Sequence, residues 1–352
     1  MKKKKINVLI TGLGGGGNGM QVLKALKLSS LPYYFIGTDI EKLSFGLSLV
    51  DKGYVVPLAS HEKYLCSLRN IIKKEKVRVL FPGSDPELKT ISQNRLTFEK
   101  LKVLLPINPA PIISLCMDKY KTMQFLKSKK FNVPRSFFIK SLKDTRTVDV
   151  FPVVCKPHIA SGGSNNVFIA QDRRELRLMA EYLLKYLRGF LVQEYVGSAD
   201  CEYTVGVLAD LQGNMIDSIV LKRNIFPALS SRIKIANRSG RAELGKILTI
   251  SSGISQGRIG KFREIAKYCE QVAAAIGVRG PLNFQCRVFD GKVYIFEINP
   301  RFSGTTSLRA IAGFNEPDIL IRKYVLGQRI KKTPYKKGVI LRALEEKLIK
   351  EL

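Results

Sequence analysis

Residues 297–304, EINPRFSG, follow an apolar, strand-like segment, KVYIF, and decide which fold this 352-residue chain adopts. In an extended chain successive side chains point to opposite faces, so Glu297, Asn299 and Arg301 are expected to share one face. Phe296 and the other apolar side chains then point to the opposite face. A strand whose one face carries a carboxylate, an amide and a guanidinium is either the wet outer surface of a sheet or part of a binding site. The rest of the chain has to decide between the two.

The hairpin before this stretch determines whether Gln285 joins the same polar face. The segment NFQCRVFDGKVYIFEIN has the pattern of two strands joined at a DG turn signal. A two-residue turn would pair Gln285 with Phe296, on the wrong face. A three-residue loop at 290–292, with a glycine-assisted bulge, pairs Gln285 with Glu297 instead, and we predict that loop. Gln285, Glu297 and Asn299 would then form a patch of three oxygen-bearing side chains. Such a patch suits a magnesium ion that keeps several waters and also binds a nucleotide's phosphates.

A chain of 352 residues is long enough for two or three packed domains. Its hydrophobic content of 45% is ordinary for a globular protein. Six cysteines are scattered with no C-x-x-C pair, which is typical of reduced thiols in a cytoplasmic protein and argues against disulfides or zinc. Two histidines are too few for a histidine metal cluster. The apolar run after MKKKK ends in glycines after five residues, so we interpret it as a first strand. No stretch approaches the roughly 20 apolar residues of a membrane span.

The balance of charges is strongly basic, with 59 Lys and Arg against 29 Asp and Glu and a formal charge of +30. This charge favours polyanionic partners: nucleotides, acidic small molecules, nucleic acid or an anionic membrane surface. It does not choose among them. The basic residues are spread along the chain apart from residues 2–5 and the run RIKKTPYKK at 329–337, which we interpret as solvated ends.

Strands and helices alternate through the first third of the chain, which predicts an α/β fold with a parallel sheet covered by helices. The proline-rich segment PINPAPI breaks this pattern and indicates a domain boundary near residue 112. A helix capped by Asp118 is expected next. Further strands and two long helices then lead to the hairpin described above.

The glycine loop TGLGGGGNG after the first strand matches G-x-G-x-x-G at Gly12, Gly14 and Gly17, and Asp39 ends the second strand. This pattern is typical of dinucleotide binding, with the carboxylate on the ribose. The same glycines are what a tight strand-to-helix turn needs, and a helix N-terminus there accepts any anion. A nicotinamide site and a purely structural turn both remain open.

Two later segments place charged side chains where a ligand could bind. FPGSDPEL puts Asp85 and Glu87 at the carboxyl edge of the predicted sheet, where open α/β folds bind ligands, or else in a solvated proline turn. VVCKPHIASGGSNNV sends Lys156 out of a buried strand into a small-residue loop, 160–166, whose backbone N–H groups could cradle phosphate. A flexible hairpin without a ligand is the alternative for that loop.

Taken in order, these motifs resemble the ATP-grasp superfamily, and within it the carbamoyl-phosphate-synthetase-like carboxylate–amine ligases. The residues that carry the resemblance are Asp118, Lys119, Lys156, Gly162, Gly163, the run QEYV at 193–196, Glu202, Gln285 and the run EINPR at 297–301. The resemblance implies a Rossmann-like pre-ATP-grasp domain over residues 1–112 and an ATP-grasp domain over 113–330. The latter would consist of two α+β subdomains with a mobile lid at about 135–195. Residues 331–352 remain as a basic C-terminal segment.

The resemblance also implies a role for each matching residue. The implied ATP-binding residues are Lys119, Lys156, Ser161, Gly162, Gly163, Ser164, Gln193, Glu194, Tyr195, Val196 and Glu202. The implied ligands of magnesium, or of manganese, are Gln285, Glu297 and Asn299. The implied catalytic residues are Arg301, Lys156 and Lys119. The candidate substrate residues are Gly14, Gly15, Asp85, Glu87, Arg223 and Arg309, with the two arginines as carboxylate clamps.

Three positions depart from the family pattern. Gln285 stands where many relatives have Glu, which removes a carboxylate and puts a second metal ion in doubt. Asn165 and Asn166 occupy positions usually richer in glycine, and asparagine partly replaces glycine because it tolerates positive φ. Gly206 stands where an acid is common.

The function implied is an ATP-dependent carboxylate–amine ligase that forms an amide or peptide bond through an acyl phosphate and releases ADP and phosphate. Its partners would be a small carboxylate and an amine, with amino acids among the open candidates, and ligases of this type are often homodimers. Nucleic acid is disfavoured. The alternatives are an NAD(P)-dependent oxidoreductase that uses the N-terminal glycine loop, and a non-catalytic nucleotide-binding or polyanion-binding protein.

Overall fold

The computed structural model describes residues 5–14, 17–159, 166–330, 332 and 334–348. The first third forms a parallel sheet of four strands in the order β3-β2-β1-β4, as the alternating pattern predicts. These strands are β1 (Ile6–Ile10), β2 (Tyr33–Asp39), β3 (Lys52–Val55) and β4 (Val79–Phe81). The helices of this part are α1 (Asn18–Lys27), α2 (Tyr64–Lys74), α3 (Asp85–Gln93), α4 (Arg95–Glu99) and α5 (Ala110–Met117).

Helix α5 begins inside the proline-rich segment that the sequence pattern marks as a boundary. Proline is tolerated in the first turn of a helix because the N–H it lacks has no partner there, and Pro111 occupies that turn. The next helix, α6 (Lys119–Ser128), is capped as predicted, since the Asp118 carboxylate accepts a hydrogen bond from the backbone N–H of Lys121.

A second sheet of four strands is antiparallel and has the order β5-β8-β6-β7. Its elements are β5 (Ser136–Ile139), β6 (Val153–Pro157), β7 (Phe168–Ala170), the helix α7 (Arg173–Leu183) and β8 (Phe190–Glu194). Leu176 and Ala180 of α7 pack against Val153 and Val192 of the sheet. All of these elements fall within residues 135–195, and the mobility of this lid sheet stays a prediction.

The third sheet has six antiparallel strands in the order β15-β14-β9-β10-β13-β16, and a separate hairpin pairs β11 with β12. The strands are β9 (Glu202–Ala209), β10 (Met215–Arg223), β11 (Ser231–Ala236), β12 (Ile247–Ser251), β13 (Gly257–Gly260), β14 (Pro281–Phe289), β15 (Lys292–Asn299) and β16 (Gly338–Ile340). The helices are α8 (Arg263–Ile276), α9 (Thr306–Ile311) and α10 (Glu316–Tyr324). No helix in the described ranges is long and apolar enough to cross a membrane.

One hydrophobic core joins the parallel sheet to the six-stranded sheet. Val8 of β1 and Phe81 of β4 belong to the same buried cluster as Ile219 of β10. Phe302, just beyond β15, packs edge-on against Phe81 with ring centroids 5.5 Å apart. The carboxyl end of β4 and the segment EINPRFSG are therefore held next to each other.

The turn between β14 and β15 differs from the predicted one, although the predicted pairing is present. Phe289 pairs with Lys292, so the turn has two residues, Asp290 and Gly291, both with positive φ. Gln285 still pairs with Glu297, because a register shift lies inside the strands, between Gln285 and Cys286. The predicted three-residue loop is wrong, and the bulge keeps the polar register.

The basic run 329–337 is attached to the protein in its described residues. The Lys332 ammonium lies 3.1 Å from the Asp217 carboxylate, and the Tyr335 ring packs against Phe314. Immediately beyond the run, β16 pairs with β13 at the edge of the six-stranded sheet. The run is therefore anchored to the protein while its described lysines are exposed, and its interpretation as a solvated end stays a prediction; residues 2–4 lie outside the described ranges.

Candidate active site

A cavity of about 620 Å³ lies where the parallel sheet, the lid sheet, the six-stranded sheet and the β11–β12 hairpin meet. It collects side chains that are more than 200 positions apart in the sequence. The candidate residues that line it are Asp85, Lys119, Lys156, Gln193, Glu194, Tyr195, Val196, Glu202, Arg223, Gln285, Glu297, Asn299 and Arg301. Gly15 and residues 161–164, which include Ser161, Gly162, Gly163 and Ser164, lie outside the described ranges.

Lys156 projects from the end of β6 into this cavity and is buried. Its ammonium donates hydrogen bonds to Gln193 Oε1 at 2.8 Å and to the backbone carbonyl of Phe296 at 3.3 Å. Burial lowers the pKa of Lys156 to about 8, with a further decrease from the Lys119 charge and an opposing increase from Glu297. A cation held by neutral acceptors only is poised to gain an anionic partner.

Lys119 supplies a second cation at the start of α6. Its backbone N–H donates to the carbonyl of His158 at 2.7 Å, which ties the helix to the strand that carries Lys156. Its ammonium makes no hydrogen bond to any residue in the described part of the chain. Two amines are thus directed at one cavity with capacity for a polyphosphate.

Gln285, Glu297 and Asn299 lie side by side on β14 and β15 and face the cavity. Within the described ranges, the side-chain oxygens of all three have no hydrogen-bond or ion-pair partner. One carboxylate and two amide oxygens form a donor set that suits a hard divalent cation which keeps several waters. The residues present therefore fit magnesium or manganese, and the metal role stays a prediction.

Arg301 is held by a carboxylate from the N-terminal third of the chain. Its Nε donates to Asp85 Oδ1 at 2.6 Å, and its Nη1 donates to the carbonyl of Phe302 at 3.3 Å. Burial acts to raise the pKa of Asp85, but the Arg301 guanidinium and Lys119 outweigh it, so that pKa lies below its usual value. Asp85 opens α3 directly after the strand β4, which is the carboxyl edge where the sequence places it.

Glu202 lies at the floor of the cavity between two buried arginines. Its Oε1 accepts from Arg223 Nη1 at 2.9 Å, and its Oε2 accepts from Arg287 Nε and Nη2 at 3.0 and 2.9 Å. Burial opposes ionisation, yet the two guanidiniums hold the pKa of Glu202 below its usual value. A ribose contact by Glu202 stays a prediction, and in the structure its carboxylate holds two arginines.

The predicted adenine end of the cavity is closed by the β11–β12 hairpin. Leu248 of this hairpin packs in one cluster with Tyr195 and Ile169. The guanidinium of Arg241, in the loop of the hairpin, donates to Glu194 Oε1 at 3.3 Å. The hairpin is therefore attached to the lid sheet by an apolar cluster and by a hydrogen-bonded ion pair.

Comparisons with known proteins match two segments of the chain to family models. The family model described as "ATP-grasp in the biosynthetic pathway with Ter operon" matches residues 187–347. The chain has an ATP-grasp domain. The model "PylC-like, N-terminal domain" matches residues 8–105, which hold the parallel sheet.

Individual relatives agree with this assignment at low identity. The carbamoyl phosphate synthase large chain of Thermoanaerobacter pseudethanolicus is 22% identical over 334 residues, which cover 91% of this chain and 28% of the relative. The chain therefore spans less than a third of that protein's length. The L-amino acid ligase from Bacillus licheniformis has a TM-score of 0.63 at 19% identity, covering 92% of this chain and 74% of the ligase. Biotin carboxylase from Campylobacter jejuni has a TM-score of 0.64 at 16% identity, and the match covers 93% of this chain and 72% of the carboxylase.

Three candidate substrate residues do not line the cavity of the ATP-grasp domain. The carboxylate of Glu87 accepts hydrogen bonds from Tyr64 and Ser84 and fills the space beside Gly12, where a Cβ would lie 2.5 Å from it. Burial raises the pKa of Glu87. Gly14 packs closely against the Asp39 carboxylate, which accepts from the backbone N–H of the two residues after it. Gly12 and Gly14 are thus explained by packing, and the nicotinamide alternative gains no support.

Arg309, the third of these residues, is buried behind the cavity. Its guanidinium pairs with Glu316 at 3.2 Å and donates to Asn283 Oδ1 at 2.5 Å. A Cβ at Gly206 would lie 2.2 Å from Arg309 Nη1, so glycine at this departure from the family pattern makes room for the arginine. Arg309 holds a strand of the ATP-grasp domain and does not reach a ligand in the cavity.

Several residues of the cavity were not predicted from the sequence. Phe296 was expected on the opposite face, but it lines the cavity because the bulge in the β14–β15 pair makes it the extra residue. Arg287 was missed although a charged residue inside the apolar strand NFQCRVF is a signal of a buried ion pair. The loops at 251–255 and 303–305 also line the cavity. Their small residues gave no pattern that sequence reasoning could interpret.

Proposed function

We propose that this protein is an ATP-dependent carboxylate–amine ligase that forms an amide or peptide bond through an acyl phosphate. The observation that carries the proposal is the composition of one cavity: Lys119 and Lys156, the donor set of Glu297 with its neighbours, and Arg301. Phosphoryl transfer from ATP requires cations that bind the phosphates, oxygen ligands for a metal ion, and a positive group beside the transferred phosphoryl group. The likeness to an L-amino acid ligase supports the same chemistry.

ATP is proposed to lie along the lid sheet. Lys119 and Lys156 would bind its phosphates, and the segment 194–196 at the end of β8 would contact adenine. Gln285, Glu297 and Asn299 would hold magnesium or manganese, which supplies neutralising charge to the phosphates when it is bound.

The reaction proposed has two displacement steps. A substrate carboxylate oxygen attacks the γ-phosphorus, a new P–O bond forms, and the bond to ADP breaks. The amine nitrogen then attacks the acyl carbon and forms a C–N bond, the C–O bond to the phosphoryl group breaks and releases phosphate, and the amine proton passes to solvent. A carboxylate is a poor electrophile, so phosphorylation supplies the leaving group it lacks. The chain contributes positioning and charge neutralisation through Arg301 and the two lysines, and no covalent nucleophile is needed.

The substrates are proposed to enter between the lid and the carboxyl edge of the parallel sheet, where Asp85 lies. Small carboxylates and amines, amino acids among them, fit this proposal. A homodimer and a cytoplasmic location are further parts of it. Sedimentation measurements at several protein concentrations test whether the protein is a homodimer.

The experiment that tests the proposal measures ADP release from Mg-ATP in the presence of pools of amino acids and small carboxylates. Release should require an added acid, and Glu297→Ala should reduce it at least about a hundredfold, since a removed metal ligand weakens the charge stabilisation of the transition state. Glu62→Ala is the matched control, because Glu62 is exposed and is not among the residues that line the cavity. Release without any acid, or an active Glu297→Ala variant, would contradict the proposal.

A further inference from the structure

The ion pair of Asp85 and Arg301 lines the cavity and keeps binding capacity on both of its members. Asp85 Oδ1 accepts from Arg301 Nε at 2.6 Å, and Arg301 Nη1 donates to the carbonyl of Phe302 at 3.3 Å. Within the described ranges Asp85 Oδ2 and Arg301 Nη2 make no hydrogen bond, and both atoms remain accessible to solvent. One carboxylate oxygen and one guanidinium nitrogen are therefore open to a ligand in the cavity.

Asp85 is also the acid that no other contact or assignment uses up. Four acidic side chains line the cavity in the part of the chain that the structure describes. Glu202 is held between two arginines, and Glu194 is paired with Arg241 at the predicted adenine end. Glu297 belongs to the donor set that we propose for the metal ion. Among these four, Asp85 is left to receive a cationic group of a substrate.

The surroundings of Asp85 place it at the end of the cavity that the N-terminal third forms. It opens α3 directly after β4, and the helix is capped by the Ser84 hydroxyl, which accepts from the backbone N–H of Glu87. The lining residues that this third contributes besides Asp85 are uncharged: Gly17, Asn18, Gly83, Ser84 and Pro86. A charged substrate at this end therefore meets the ion pair and no competing charge from that side of the cavity.

Two opposite charges in direct contact match a ligand that carries the two opposite charges on neighbouring atoms. An α-amino acid has its ammonium and its carboxylate on one carbon atom, so one molecule can present its carboxylate to Arg301 and its ammonium to Asp85. Both contacts are charge-assisted hydrogen bonds, which are the stronger kind. An acid without the ammonium would leave Asp85 Oδ2 without a partner in an occupied cavity, and such an unpaired acceptor costs free energy.

We propose that Asp85 binds the ammonium of an α-amino acid whose carboxylate lies at Arg301, so that the acid which the enzyme phosphorylates is an α-amino acid. The ammonium stays protonated and takes no part in the reaction. This inference rests on the proposed ligase function and specifies its substrate class. It gives Asp85 a direct contact with the substrate in addition to its ion pair with Arg301.

The test compares acids that differ only in the α-ammonium: L-alanine with propionate, L-phenylalanine with 3-phenylpropionate, and L-glutamate with glutarate. Excess hydroxylamine is the amine in every assay, so the two members of a pair differ only as the phosphorylated acid. At neutral pH the wild type should show a kcat/KM for acid-dependent ADP release at least about tenfold higher for the amino acid of at least one pair, as expected for one charge-assisted hydrogen bond. This comparison needs no variant to fold.

Asp85→Asn should lower this preference at least about tenfold, mainly through the KM of the amino acid. Misplacement of Arg301 in this variant would lower kcat for both members of a pair, so the ratio within a pair isolates the ammonium contact. Asp85→Glu keeps the charge and should keep part of the preference. Asp149→Asn is the matched control, because it removes the carboxylate partner of another arginine at the surface, and it should leave the ratio unchanged.

Two results would overturn the inference and leave the ligase function standing. One is a wild type that uses both members of each pair equally or prefers the acids without an ammonium. The other is an Asp85→Asn variant that loses both members of a pair by the same factor.

If none of these acids supports turnover, binding separates the two claims. Calorimetry then measures the same pairs in the presence of magnesium and a non-hydrolysable ATP analogue. Tighter binding of the amino acid, lost in Asp85→Asn, supports the ammonium contact even where ligase activity fails. Equal or absent binding of both members overturns it.

Discussion

Arg301 and Asp85 are separated by 216 positions and form an ion pair, with Nε and Oδ1 2.6 Å apart at the edge of the cavity. Asp85 opens the helix after β4, and Arg301 follows β15. The pair therefore fixes the guanidinium that we propose for phosphoryl transfer to the N-terminal sheet. Because the two halves of the molecule supply one partner each, the site is complete only when both are docked.

Asp85→Asn should leave Arg301 present but poorly oriented. We expect kcat to fall about 10- to 100-fold, since misplacement of a charge-stabilising group by about 1 Å has effects of that size, while the Kd for ATP changes less than about threefold. Steady-state kinetics and ATP titration measure the two quantities. Asp149→Asn removes an exposed partner of Arg135 and is the control. Equal losses of ATP binding and kcat would contradict a positioning role.

The depressed pKa of Lys156, about 8, predicts a pH-dependent affinity for ATP. Lys156 is charged below that pH and neutral above it, so the Kd for ATP should rise as pH increases beyond 8, by up to about tenfold per unit. Calorimetric titrations between pH 6.5 and 9.5 measure this slope. Lys156→Met should bind ATP weakly and without the step, whereas Lys119→Met should keep it. A pH-independent Kd in the wild type would exclude the assigned role of Lys156.

Glu202 is predicted to stabilise the fold through its two arginines. Glu202→Gln leaves Arg223 and Arg287 buried around a neutral group, and we expect the free energy of unfolding to fall by about 3–5 kcal/mol. Urea denaturation measures it. Glu181→Gln, which removes an exposed partner of Arg177, should cost less than about 0.5 kcal/mol. Similar stabilities of the two variants would show that the cluster contributes little.

The same cluster gives a pH dependence of stability. The pKa of Glu202 is lower in the folded protein than its usual value, so its contribution is present above the unfolded-state pKa near 4.5. It is lost as pH falls through the folded-state value. The wild type should therefore lose more stability on acidification than Glu202→Gln does.

Gly206 is predicted to be intolerant of any side chain. A Cβ there would overlap Arg309 Nη1 and displace it from Glu316, so Gly206→Ala should destabilise the protein by about 2–4 kcal/mol. Gly338→Ala is the control, because nothing lies within 4 Å of a Cβ at that position. Thermal unfolding compares the two. A stable Gly206→Ala variant would mean that the arginine pair can move at little cost.

Local patterns predicted the parts of this fold that depend on local rules. The period-two alternation predicted that Glu297 and Asn299 share a polar face, and Asp118 predicted the start of α6. The pairing of Gln285 with Glu297 was predicted from a three-residue loop that is not present, and a bulge produces it instead. The bulge at Phe296 was not predicted, because its position depends on how both strands pack. The turn at Asp290 and Gly291 has the two-residue form that such a dipeptide favours.

Contacts between distant residues could not be predicted in the same way. Arg301 with Asp85, Arg287 with Glu202 and Arg342 with Gln21 each join segments that only tertiary structure brings together. The described lysines of the basic run at 329–337 are exposed, but a charge pattern does not reveal the partner that anchors the run. Asp217 and the edge of β13 provide that anchor.

An isotope experiment follows one carboxylate oxygen atom through the proposed reaction. Once an acid that supports ADP release is known, its carboxylate is labelled with ¹⁸O and the released phosphate is analysed by mass spectrometry. An acyl phosphate transfers one carboxylate oxygen to phosphate, so the account predicts phosphate that carries a single ¹⁸O for each ADP formed. Unlabelled phosphate, with ADP formed at the same rate, would show that the carboxylate is never phosphorylated and would contradict the ligase mechanism.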